Sequence, residues 1–347
     1  MLTSAQRDSA IRLLRDIGLG GDVTFESLEG GGNNRVYKAT TPKGAAALKV
    51  YFHHAKDMRD RLGTEFAFSQ VAWDGGIRCI PQPLAMDASE HLGLYEFVAG
   101  RRLIAEEVDA TRLGEAEAFF AALNREMLTG AGQLGPGSEA CFSFTAHLIT
   151  VGRRLARLQT ATEHNAALAI FLKDDALPLW QAIEESVLDR AEHELGLDVE
   201  AEIIPAERCL SPSDFGFHNA LLDSSGRLRF HDFEYAGWDD PAKFVGDFFN
   251  QVSVPAPRSL YRDFVAKVAA HFPEPARNTR RFDLLLPVYA MKWITIMLNV
   301  FLPDGGSRRR FAGAAIEDQM EHQLQLARQA LEELRNGTGA PGVRVFG

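Results

Sequence analysis

The sequence predicts an α+β chain in two lobes, a small N-terminal antiparallel β-sheet lobe with one key helix and a larger, mainly helical C-terminal lobe. Three observations predict it. Residues 23–50 read as three strands separated by turn chemistry, a Gly-rich turn at 30–34 and Pro42-Lys43-Gly44. Residues 101–205 are almost wholly helical in pattern. A single hairpin pattern at 211–237 then interrupts two helical runs. The expected division is residues 1–99, residues 100–337 with the hairpin inside them, and a flexible tail at 338–347.

The composition is that of a globular chain, 46% hydrophobic and 24% charged. A net charge of -10 argues against a nucleic-acid footprint. Cys79, Cys141 and Cys209 have no metal-ligand spacing, and an odd, unclustered count points to reduced thiols. The N-terminus reads as an amphipathic helix rather than a signal core. The apolar stretch 294–302 is broken in and around by Lys292, Asn299 and Asp304, too short and polar to span a bilayer. The expectation is a cytoplasmic protein that binds neither nucleic acid nor membrane.

In chain order, residues 4–17 form a helix capped by Ser4, with Ala10, Leu13, Leu14 and Ile17 on one face. The turn Gly30, Gly31, Gly32, Asn33, Asn34 lets backbone amides approach an anion closely, because glycine has no Cβ and accepts positive φ. Lys49 interrupts an apolar strand, and Glu65 lies on the buried side of the next helix, about 56–73. A buried unpaired carboxylate is costly, so pairing Lys49 with Glu65 resolves both oddities. Strands at 84–87 and 92–97 follow, ending at Gly100. Helices are expected at 109–128, 143–164 and 178–196, and later from Pro241 and at 258–272, 278–302 and 309–335. The last is expected to pack on the helical lobe or on a second protomer as a homodimer.

The hairpin carries the chemistry. Asp214 is followed five residues later by Asn219, then by the apolar run Ala220-Leu221-Leu222, turn chemistry at 223–226, and a second run ending at Asp232. This brings Asn219 and Asp232 to one end, within reach of Asp214. Carboxylate and amide oxygens are the hard ligands that Mg²⁺ takes beside substrate phosphates. One carboxylate then remains to accept a hydroxyl proton, which are the parts phosphoryl transfer needs.

This stretch resembles the aminoglycoside phosphotransferase and choline kinase-like family, small-molecule kinases of protein-kinase-like fold. Asp214, Asn219, Asp232, Phe233, Glu234, Gly237, Trp238, Asp240 and Pro241 fall on matching positions. The chain departs from the pattern at Pro212-Ser213, where the family has His-Gly. The resemblance spans roughly residues 23–250 and implies ATP and Mg²⁺ as co-substrate and cofactor. It implies Asp214 as base, Asn219 and Asp232 as metal ligands, and Lys49, oriented by Glu65, on the phosphates. Gly31, Gly32, Asn33 and Asn34 would cover the phosphates, and Phe97 and Val98 would form the hinge that reads adenine. His218 is expected to brace the loop or touch substrate. Glu234 is a candidate second metal contact, and an Asp on the helix after Pro241, Asp247, a brace of the loop. Trp238, Asp239, Tyr289 and Trp293 are expected to line the acceptor site.

The acceptor is then a hydroxyl of a small molecule: an aminoglycoside, an amino alcohol such as choline, a sugar or another metabolite. Asp232 to Asp240 leaves no room for a long activation segment, and no Ala-Pro-Glu follows, which disfavours a protein substrate. Two alternatives stay open, a nucleotide-binding pseudokinase used as a scaffold and a nucleotidyl (AMP) transferase.

Overall fold

The computed structural model describes residues 1–28, 34–53, 59–125, 128–302 and 317–337. Gly31, Gly32 and Asn33 of the Gly-rich turn, residues 309–316 of the last expected helix and the 338–347 tail lie outside the described residues.

The first helix is α1 (Ser4–Asp16), and its cap lies one residue before the expected one. Thr3 is the N-cap, and it exchanges hydrogen bonds with Gln6 in a capping box, so Ser4 is already helical. Its Ala10 and Leu14 are buried against the N-terminal sheet. That sheet contains β1 (Thr24–Leu28), β2 (Arg35–Thr41), β3 (Gly44–Val50), β4 (Pro83–Asp87) and β5 (Leu92–Glu96). Its order is β1-β2-β3-β5-β4, antiparallel throughout. The helix α2 (Arg61–Asp74) begins at an Asp60 N-cap and packs on β4 and β5.

A three-residue link leads from β5 to β6 (Gly100–Arg102), which pairs not with that sheet but with the hairpin strand β8 (Ala220–Asp223). Sequence periodicity missed β6 because three exposed residues carry no pattern. It also missed β7 (Cys209–Ser211), which pairs with β10 (Gly237–Asp239) across the base of the hairpin. The second hairpin strand is β9 (Leu228–Phe230). Between β8 and β9 the Asp223 carboxylate accepts from the amides of Ser225 and Arg227, the short polar turn the sequence predicts.

The rest is helical: α3 (Ala110–Asn124), α4 (Phe144–Gln159), α5 (Ala166–Ile170), α6 (Leu177–His193), α7 (Pro241–Asn250), α8 (Tyr261–Ala269), α9 (Pro275–Met297) and α10 (Glu317–Arg335). A π-helical stretch, Phe171–Ala176, joins α5 to α6, so helix begins well before the expected residue 178. The helix α9 is the hub, packed on by α4, α6, α7, α8 and α10. With its 3₁₀ extension, Pro275–Phe301, it is long and apolar enough to cross a membrane by length and composition, with a mean hydropathy of 1.6. Reading only 294–302 understated it. In the fold 78% of that apolar window is buried inside the protein, which accounts for its composition.

One buried ion cluster fixes α7 to α4 and α9. Asp240, fully buried, caps α7 by accepting from the Ala242 amide at 2.7 Å. It also accepts from Arg281 of α9, with Nη1 to Oδ1 at 3.0 Å and a second, parallel contact from Nη2. His147 of α4 completes the set at 3.1 Å and reaches Tyr289 through its other ring nitrogen. Removing one member of a buried pair leaves a charge stranded. Arg281→Met is therefore expected to lower unfolding stability by about 3 kcal/mol, read from denaturant midpoints at unchanged slope. An unchanged midpoint would show that Arg281 is not needed to offset the burial of Asp240.

Candidate active site

Phenylalanines set both acidic residues of the hairpin. Phe215, next to Asp214, stacks among Phe230, Phe244 and Phe248 with centroids 5.0–5.4 Å away. Phe233, next to Asp232, packs on Phe68 of α2 at 5.0 Å and on Phe119 of α3 at 6.0 Å. Each ring is almost completely buried, so the neighbouring carboxylate is carried by the core rather than by a loose loop.

Asp214 emerges from this core with its side chain 37% exposed, and the His218 Nε2 lies 3.3 Å from its Oδ1. Asn219 donates from Nδ2 to the Asp214 carbonyl at 2.9 Å, which turns its Oδ1 the other way. The Asn219 carbonyl in turn accepts from the His231 amide at 3.0 Å, closing the hairpin end next to Asp232. Asp232 itself has φ +70, in the left-handed region. Asp tolerates that region better than most side chains, though at a cost. Gly216 is required by close approach: a Cβ there would sit 2.7 Å from His218 Nδ1 and 3.0 Å from Gln251 Cγ.

The N-terminal sheet supplies the opposing charge. Lys49 on β3 donates to Glu65 of α2 at 2.6 Å and also contacts Asp232. The Glu65 carboxylate accepts from the Tyr51 hydroxyl at 2.8 Å, and Tyr51 meets the Tyr95 hydroxyl at 2.8 Å. Burial alone would lower the Lys49 pKa, but Asp232 and Glu65 hold it well above its ordinary value, so the ammonium stays charged. Burial alone would likewise raise Asp232, and Lys49 holds it below the ordinary carboxylate value. Burial pushes Glu65 up, with Lys49 pulling the other way. These residues come from strand, helix and hairpin, and the fold gathers them at one point.

Several expected site residues are placed otherwise. Strand β9 stops at Phe230, so Glu234 does not continue Asp232's face. Its carboxylate is buried, accepting from Arg61 of α2 at 2.6 Å and from Asn34 Nδ2 at 2.6 Å. Asn34 is thereby committed as well, because its Oδ1 accepts from the Phe52 amide at 2.9 Å. Its side chain ties the end of the Gly-rich turn to the hairpin rather than facing a phosphate. Asp239 is wholly buried, accepting from the Cys141 amide and from Lys243. Trp238 donates to the Ala131 carbonyl at 3.0 Å and packs on the core. Tyr289 is buried on His147. Asp239 and Tyr289, without exposure, touch no acceptor, whereas Trp238 stays half-buried with its indole N–H committed.

Trp293 is different. Its indole donates to Asp247 at 3.0 Å, its ring meets the His218 ring edge-on at 6.3 Å, and it lines a cavity of about 450 Å³ between α7, α9 and α10. Gln251, against Gly216 of the loop that follows Asp214, lines the same cavity. Asp247 accepts twice from Lys292, at 2.8 and 2.9 Å, rather than bonding the loop itself. Phe97 and Val98 lie half-buried in the link between β5 and β6, with Lys38 over the Phe97 ring at 4.6 Å. Sequence reasoning missed Arg61 and Lys243. Lys243 had a signal: a lysine inside an apolar helix, four residues after Asp239 and four before Asp247.

A strand-bound lysine paired to a helix glutamate, facing an Asp/Asn/Asp hairpin, defines a phosphotransferase of protein-kinase-like fold. The sequence profile of the phosphotransferase enzyme family matches residues 24–280, and the chain belongs to that family. Solved structures agree on the fold. A choline kinase from Cryptosporidium parvum superposes with a TM-score of 0.61 at 12% identity, covering 98% of this chain and 100% of that one. A choline kinase from Streptococcus pneumoniae gives 0.60 at 13% identity, covering 95% and 100%. A spectinomycin phosphotransferase bound to ADP and spectinomycin gives 0.57 at 12% identity, covering 93% and 98%. No curated protein sequence matches this one.

Proposed function

We propose that the protein transfers the γ-phosphate of ATP to a hydroxyl group of a small molecule, with Asp214 as the base. The observation that carries this reading is Lys49, whose ammonium reaches both Glu65 and Asp232 while Asp214 stands exposed at the same end of the hairpin. Lys49, kept charged by its two carboxylates, neutralises phosphate oxygens. Glu65 and Tyr51 hold its position. Asp214 orients the acceptor hydroxyl and takes its proton as the phosphoryl group arrives.

The donor set suits Mg²⁺. Asn219 Oδ1 and the Asp232 carboxylate are hard oxygens, and among the described residues no three His, Cys, Asp or Glu side chains converge as a closed cage. Mg²⁺ favours such partial protein ligation because it completes its shell with phosphate oxygens and water. Held by Asn219 and Asp232, it would supply positive charge to the transferring phosphate. The main chain at Phe97 and Val98 is the proposed adenine edge, and Gly31, Gly32 and Asn33 the phosphate cover. The acceptor enters from the cavity lined by Trp293 and Gln251. The three free thiols and the use of ATP fit a cytoplasmic enzyme.

The test is an acceptor screen in Mg·ATP read by mass spectrometry, spanning aminoglycosides, amino alcohols and sugars. The expected product gains one phosphoryl group and appears with stoichiometric ADP. A gain of AMP with pyrophosphate release would establish nucleotidyl transfer instead. Binding of Mg·ATP with no product from any class would favour the scaffold reading.

A further inference from the structure

The residue before Asp214 is Ser213, and its backbone is left-handed, φ +66. Ser is a poor choice there, because its Cβ crowds the following carbonyl, a clash that glycine avoids. The hydroxyl is buried and is held from below: Lys243 Nζ donates to Ser213 Oγ at 2.8 Å. The Ser213 amide donates to Ser211 Oγ at 3.0 Å, which closes the tight turn. Lys243 comes from α7, is almost wholly buried, and also binds the buried Asp239 of β10. It lies 4.0 Å from Asp247, the carboxylate that fixes Trp293 on the cavity wall.

The geometry points to Lys243 and Ser213 as positioning residues for Asp214: the buried ammonium holds the serine in a backbone conformation that serine resists, and so sets the direction in which the next residue leaves the core. This rests on the phosphotransfer reading of Asp214 given above. It accounts for the departure at Pro212-Ser213, since this chain reaches a turn that glycine would form unaided by adding a charge-assisted anchor. Burial alone would lower the Lys243 pKa, but Asp239 and Asp247 hold it above the ordinary lysine value, so the anchor stays charged. One helix, α7, thereby sets two things at once, the loop that carries Asp214 through Lys243 and the Trp293 wall through Asp247.

The experiment compares S213A and S213G in Mg·ATP turnover, measured as ADP release with and without an accepted acceptor. S213A loses the anchor and keeps the Cβ, so its kcat is expected to fall at least tenfold. KM for ATP and the thermal shift on Mg·ATP stay as in the unaltered chain. S213G loses the anchor and the clash together and is expected to recover most of that turnover. S213G is also expected to unfold at a higher temperature than S213A, the reverse of the usual order, because only a left-handed site favours glycine. Lys243→Met strands Asp239 and lowers the midpoint in any background. Its effect on kcat is expected to shrink in the S213G background if the two residues act together. Crystal structures of both serine variants supply a readout independent of turnover, with residue 213 leaving the left-handed region in S213A and staying there in S213G. The proposal is overturned if S213A keeps φ near +66 with Asp214 still against His218. It is equally overturned if S213A turns over as fast as S213G, or if Lys243→Met costs the same factor in both backgrounds. Failure of the phosphotransfer reading looks different: no ADP release from the unaltered chain, while the backbone at 213 still follows the predicted pattern.

Discussion

Asp232→Asn is expected to abolish the rise in unfolding midpoint that Mg·ATP gives the unaltered protein. A ligand that binds only the folded state stabilises it by mass action, about 2.7 kcal/mol at a hundredfold excess over Kd. Asparagine is the informative replacement because residue 232 has φ +70, a conformation asparagine tolerates and alanine resists. The substitution removes the negative charge, leaves a neutral amide oxygen in place of the carboxylate, and keeps the backbone intact. Lys49 keeps Glu65 at 2.6 Å, so the nucleotide-free protein is expected to unfold within about 1 kcal/mol of the original. The measurement is paired thermal melts with ATP plus Mg²⁺, ATP plus EDTA, and no ligand. A variant that keeps the full Mg²⁺-dependent shift would remove Asp232 from the nucleotide site.

The second large effect is expected at Asp214. Asp214→Asn leaves the Mg·ATP shift in place and lowers kcat about 10²–10⁴-fold, the usual range for a lost general base. The two halves separate because Asn219 bonds the Asp214 main-chain carbonyl, not its carboxylate. The metal-side geometry therefore survives the change. Steady-state kinetics on the acceptor found in the screen, beside the same melts, decide it. A loss of nucleotide binding in Asp214→Asn would mean that the carboxylate belongs to the metal site. A variant of undiminished kcat would end its role as base.

The hairpin was legible because its chemistry is local. Asp214 and Asn219 are five residues apart, the turn at 223–226 fixes the register, and Asp232 falls at the far end by strand length alone. Lys49 and Glu65 were legible for another reason, since each is anomalous in its own apolar element and burial demands a partner. Arg61 and Asn34 were not legible as partners of Glu234. They are separated from it by 173 and 200 residues, and no local pattern encodes that meeting. The same holds for Asp239, expected on the acceptor site but covered by β7 and the loop before α4.

The sequence by itself determined the fold class, the order of the kinase-like residues and the two ends of the hairpin, because periodicity, turn chemistry and short spacings are properties of adjacent residues. Only the tertiary structure decided which carboxylates stay exposed and which are buried as ties. It alone showed that Ser213 sits in a left-handed turn held by Lys243, and that α9 spends its apolar length inside the core. Those outcomes depend on which distant elements cover a given face. Coverage sets the cost of a charge, and that cost separates a buried tie such as Asp239 from an exposed group such as Asp214.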